Sequence, residues 1–160
     1  MYAFFRRWRK NGLVKEFHDR LRALAREAEG RSAEPSAAII DSQSVKAAAS
    51  VPAATRGCDG GKKINGRRRH VITDCPGPLL MVLVTAADVT AREAARVMMP
   101  RLHTRFRKIT LMWADGGYTG RLVAWAAREA PPPAPGQPSP APPPSPSPMS
   151  PVISASPRTN

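Results

Sequence analysis

The chain has 160 residues, with 25 Lys and Arg against 12 Asp and Glu, and a net charge of +13 at pH 7. So large an excess on roughly one domain's length repels itself unless an anion neutralises it, and nucleic acid is the commonest such partner. The longest uninterrupted apolar stretch, Leu79 to Val84, is far shorter than the roughly 20 residues of a spanning helix, and "MYAFFRRWRKNG" lacks the apolar region of a secretory signal; no membrane partner is expected, and the cytoplasm is the expected compartment.

In chain order, Leu13, Phe17, Leu21, Leu24, Ala25 and Ala28 recur at helical spacing and are followed by Gly30. This predicts an amphipathic packing helix within a basic N-terminal segment, residues 1–36. The run "AAIIDSQSV" then reads as a strand that carries Asp41 at or just past its apolar part. Two further strands, His70 to Cys75 and Leu79 to Val84, are predicted around a Pro-Gly-Pro turn. Upstream of them, Lys62, Lys63, Arg67, Arg68 and Arg69 flank an Asn-Gly pair. The expectation is a hairpin tip whose five cations contact DNA phosphates.

Thr90 and Glu93 have capping-box spacing, and Ala94, Val97, Met98 and Leu102 give the following helix one apolar face, with Pro100 predicting a kink or early stop. Ile109 to Ala114 reads as a fourth strand ending at Asp115, and Thr119 as the cap of a last helix running to about Glu129. Thirteen of the 18 prolines fall in residues 131–160, which are expected to be an extended, disordered tail rich in Pro, Ser and Ala.

Three strands joined by short turns, then a helical crossover to a fourth, predict an α/β domain over residues 37–130, with a mixed sheet that is antiparallel first and parallel afterwards, and flanking helices. The first and fourth strands can then be neighbours, which would bring Asp41 and Asp115 together. Carboxylates at the ends of adjacent strands suit a divalent-metal phosphodiester site, although such a site normally uses a third. Taken alone, an Asp before Gly-Gly is more often a turn residue. Cys58, Cys75 and His70 lack the paired spacing of a zinc site. His70 and Asp74 share a strand face and read as structural, Asp88 as a loop or cap residue, and Tyr118 as a neighbour of the site.

The segments "YAFFRRWRKNGL", "AEPSAAIIDSQSVK", "GGKKINGRRRHVITD" and "WADGGYTG" resemble, in order and spacing, the DDE transposases of bacterial insertion sequences, in the insertion sequence five and four-like superfamily. The resemblance implies a partial ribonuclease-H-like fold with Asp41 and Asp115 as first and second catalytic and metal-ligating residues. It also implies Mg²⁺ as cofactor, transposon-end and target DNA as partners, possible assembly with itself or with full-length transposase, and a nucleoid-associated location. The family's third acidic residue lies on a later helix, in a segment with Glu, Arg, Trp and Leu that this chain lacks; Glu129 comes too soon after Asp115 to match it. A truncated or frameshifted copy, weak in Mg²⁺ binding and inactive alone, is therefore expected. The alternatives are a non-catalytic DNA-binding fragment that interferes with transposition, and a chain that folds unstably with "LLMVLV" exposed on one side.

Overall fold

The computed structural model describes residues 2–129 and 150–154. It comprises two units, Met1–Pro35 and Ser36–Asn160.

In the first unit, α1 (Tyr2–Lys10) precedes α2 (Leu13–Ala28). Gly12 joins them at φ 74°, a left-handed conformation that glycine adopts without a Cβ clash. The bounds of α2 match the sequence pattern, but its packing does not. Leu13, Phe17, Leu21 and Leu24 are exposed, as are Tyr2, Phe4, Phe5 and Trp8 of α1, whereas Arg22 and Arg26 are buried. Two short helices cannot enclose a core of their own. The buried guanidinium groups find local acceptors: Arg22 Nη1 donates to Asp19 at 2.9 Å, and Arg26 Nε to the Ser32 carbonyl at 2.6 Å.

The second unit is α/β, as predicted. Its elements are β1 (Ala37–Lys46), β2 (Gly57–Asp59), β3 (Ile64–Asp74), β4 (Leu79–Ala86), α3 (Ala91–Arg105), β5 (Leu111–Ala114), α4 (Arg121–Glu129) and β6 (Ser150–Ser154). They build a six-stranded mixed sheet. Central β1 pairs antiparallel with β3 and parallel with β5; β2 and β4 both pair antiparallel with β3, and β6 with β5. The first three predicted strands are thus antiparallel and the fourth parallel to the first. β6 adds an edge strand that the sequence pattern does not predict, and an edge is where a proline such as Pro151 is tolerated. Apart from residues 150–154, the disordered tail expected over residues 131–160 lies outside the described residues.

β3 starts six residues earlier than predicted, and the Asn65-Gly66 pair lies inside it instead of forming a turn. A Cβ at position 66 would collide with the Val45 carbonyl and the Ala47 backbone nitrogen of the neighbouring segment. The glycine therefore permits close approach of two backbones, and the reversal falls earlier, where Lys63 takes φ 53°. Further along, the β3–β4 register shifts between Ile72 and Thr73, so Leu80 is an extra residue on β4. Such a bulge reverses the side-chain alternation: Leu80 is buried, Met81 and Leu83 then pack on the core, and Val82 and Val84 are left half exposed.

The capping box of α3 is formed, with the Glu93 N–H donating to Thr90 Oγ1 at 3.2 Å and the Thr90 N–H to Glu93 Oε2 at 2.8 Å. The helix continues through Pro100 to Arg105. Ala94, Ala95, Met98, Met99 and Leu102 are all buried on one side, and this packing outweighs the one backbone bond that proline removes. Ala95, Met98, Met99 and Leu102 join Ile40, Ile72, Met112, Tyr118 and Leu122 in a single core.

Candidate active site

The parallel register of β1 and β5 pairs Ile40 with Ala114. Their successors, Asp41 and Asp115, therefore stand at the same level on strands about 4.8 Å apart. Both are exposed. Each carboxylate has one oxygen fixed by its own backbone: Asp41 Oδ1 accepts from the Ser42 N–H at 2.6 Å, and Asp115 Oδ1 from the Gly117 N–H at 2.9 Å. The second oxygen of each accepts no hydrogen bond among the described residues.

Asp115 also makes the turn. Its carbonyl accepts from the Tyr118 N–H at 3.1 Å, closing a short helical turn over Gly116–Tyr118. A Cβ on Gly117 would lie 3.0 Å from Asp115 Oδ1 and crowd it, and Gly120, at φ +80°, turns the chain into α4. From the first turn of α3, Arg92 donates to the Gly117 carbonyl at 3.1 Å and ties the loop to the helix. Thr119 does not act as the predicted cap; its hydroxyl donates backwards to the Gly116 carbonyl at 2.9 Å.

Hard carboxylate oxygens, two of them left open, form a donor set that fits Mg²⁺ or Mn²⁺. The set is small: among the described residues, no group of three or more His, Cys, Asp or Glu is placed to hold a metal.

The model of the transposase DDE domain family matches residues 32–130, more than half of the chain, from just before β1 to the end of α4. The chain belongs to the transposase DDE domain family. No curated protein and no solved structure matches it.

The five cations singled out in the sequence divide into two kinds in this transposase domain. Lys62 and Lys63 are exposed on the turn before β3, and Arg69 is exposed on the strand, donating to Gln43 Oε1 at 2.6 Å. Arg67 is half-buried and donates to Thr55 Oγ1 at 2.7 Å. Arg68 is structural. It pairs with the buried Asp59, and also donates to Ser44 Oγ at 3.1 Å and to the Val89 carbonyl at 3.0 Å. Asp59 in turn accepts from Ser44 Oγ at 2.5 Å and from the Gly61 and Lys62 N–H groups, each at 3.1 Å. The Ser44 hydroxyl first, then Arg68 and the Lys62 N–H, hold its carboxyl well below the usual carboxylate range. This cluster fastens β2 and the β2–β3 turn to the sheet, and no spacing in the sequence announces it.

Behind the carboxylates, His70 and Tyr118 are both buried. His70 Nε2 lies 3.0 Å from Thr85 Oγ1, whose proton is directed to the Ala86 carbonyl at 2.9 Å. Nε2 is therefore the donor, and Nδ1 is a buried acceptor with no partner among the described residues. Burial, helped by Arg68 nearby, pushes the His70 pKa down to about 4, so the ring is neutral at pH 7. Asp74 shapes the Pro-Gly-Pro turn: its backbone N–H donates to the Pro78 carbonyl at 2.8 Å, and its Oδ1 accepts from the Cys75 N–H at 2.8 Å. Both residues thus have structural surroundings. Cys58 and Cys75 are free thiols. No helix among the described residues is long and apolar enough to cross a membrane.

Proposed function

We propose that this chain is an insertion-sequence transposase, of the insertion sequence five and four-like superfamily, that carries two of the three carboxylates of its catalytic site. The single observation behind this reading is the parallel register that sets Asp41 beside Asp115, each with one oxygen fixed by backbone and one open. Asp41 and Asp115 would hold Mg²⁺, which when bound polarises the phosphodiester and activates water for cleavage at a transposon end, before the freed 3′-hydroxyl attacks target DNA. The chain's own part is positional. The two strands fix the carboxylate spacing, the Gly117 N–H and Arg92 hold the loop that bears Asp115, and the exposed Lys62, Lys63 and Arg69 lie ready for phosphate. With Asp41 and Asp115 as its ligands, the domain binds Mg²⁺ weakly and does not cut alone, acting in the bacterial cytoplasm at the nucleoid.

A second reading, a non-catalytic DNA-binding fragment that competes with full-length transposase, is favoured by the +13 charge together with the small ligand set. Incubation with a matching transposon-end duplex and Mn²⁺ tests the first reading. No cutting above the Asp41→Asn background is expected from this chain. Cutting should appear when a helix bearing the family's third carboxylate, a Glu, is fused after Ala130. If the fused protein remains inert while DNA binding is unaffected by Asp41→Ala and Asp115→Ala, the second reading holds instead.

A further inference from the structure

Side chains alternate between the two faces of a strand. Ala38 and Ile40 of β1 belong to the core together with α3 and α4, so Asp41 and Gln43 lie on the opposite face, where both are exposed. The antiparallel register sets Val71 across from Asp41 and Arg69 across from Gln43. Arg69, also exposed, is thus a diagonal neighbour of Asp41 on the same face, about 7–8 Å away. Beyond this pair, β1 and β3 run on toward the turn that carries Lys62 and Lys63.

Arg68 and Arg69 are adjacent in sequence but have partners of opposite kinds. Arg68 faces the core side, where the Asp59 carboxylate neutralises it. Arg69 donates from Nη2 to the amide oxygen of Gln43 at 2.6 Å, and neither side chain makes another hydrogen bond or ion pair among the described residues. A guanidinium can only donate, so Gln43 must turn its oxygen toward Arg69 and its amino group away. The neutral amide fixes the guanidinium without cancelling its charge. Together the two side chains present an array of N–H donors that carries a full positive charge, at a solvent-exposed place beside Asp41. Such a planar, charged donor fork matches the anionic oxygens of a phosphate, which it can bind through two parallel bonds.

We propose that Gln43 and Arg69 form a phosphate clamp on the DNA strand that enters the Asp41–Asp115 site: Arg69 grips a backbone phosphate next to the one at the carboxylates, and Gln43 is the positioning residue that orients its guanidinium. This rests on the transposase reading above and gives that reading a strand path, from the carboxylates along β1 and β3 toward the turn with Lys62 and Lys63. It also separates Arg69, whose geometry is fixed, from those two lysines, which supply charge alone.

Binding of a labelled DNA duplex to the full chain tests the clamp, in EDTA so that no metal contributes, with Arg69→Lys, Gln43→Ala and the double variant. None of these changes the net charge. Arg69→Lys keeps the cation but loses the fork, and should weaken binding about fivefold or more. Gln43→Ala should weaken it about threefold in the wild-type background and by less than about twofold once Arg69 is Lys, because its effect passes through the guanidinium. The slope of log affinity against log salt should stay as in wild type, since the number of cations is unchanged. Urea unfolding of the same variants supplies the control for packing. Affinity unchanged in both single variants, with or without a lower unfolding midpoint, would mark an ordinary cross-strand pair and overturn the clamp while wild-type DNA binding leaves the transposase reading standing. Fully additive losses would overturn the role of Gln43 in orienting Arg69. A wild-type chain that does not bind DNA at all would overturn both the clamp and the reading on which it rests.

Discussion

Acidification should weaken this fold through His70 before any carboxylate responds. The ring is fully buried, and its pKa of about 4 lies below the ordinary 6.5. As the pH falls, the unfolded chain therefore takes up this proton first. The stability contributed by the neutral ring is complete above about 6.5 and is lost between there and about 4. The full difference corresponds to about 3 kcal/mol; screening by nearby solvent reduces the expected loss to about 1–2 kcal/mol. Asp59 and Glu93, whose carboxyls are depressed from 3.8 and 4.5, keep their stabilisation above those values and lose it only below them, so the window above pH 4.5 belongs to His70. Urea midpoints measured from pH 7.5 to 4.5 should fall with pH. Nuclear magnetic resonance of the ring should show it still neutral at pH 5. A ring that titrates near 6.5, or a midpoint flat across the window, would refute the reasoning.

Removing the cap of α3 with Thr90→Ala should cost about 1 kcal/mol in urea unfolding, since it deletes one half of a reciprocal pair of bonds. Gly66→Ala should be worse, about 1–3 kcal/mol by the same assay, because its methyl would meet backbone atoms that cannot move aside. For DNA, alanine at Lys62, Lys63 and Arg69 together should reduce the slope of log affinity against log salt by up to about 0.9 for each phosphate that is no longer neutralised. Arg68→Ala should instead lower the unfolding midpoint, as it strands Asp59 beneath the turn.

The fold class and the carboxylate pair were legible in the sequence because local signals set them. Short apolar runs with β-branched residues marked β1 and β5, and the connection between them through α3 forces parallel pairing. What escaped was decided by contacts between distant segments. Asn65-Gly66 has the composition of a turn, and only the proximity of the Val45 carbonyl shows that the glycine serves a crossing of backbones. Arg68 looked like its neighbours Arg67 and Arg69 until Asp59 and Ser44, from two other strands, claimed it. Periodicity correctly gave α2 its length, but it cannot say which side of a two-helix unit will be covered; there the apolar stripe is exposed and Arg22 and Arg26 are buried.

The most direct test of the central claim, that Asp41 and Asp115 act as one divalent-cation site, is a double-mutant cycle of Mn²⁺ affinity with Asp41→Asn, Asp115→Asn and both together. If the carboxylates share the ion, each single substitution should remove nearly as much affinity as the pair does. Independent, additive losses, or wild-type affinity in either single variant, would contradict the claim.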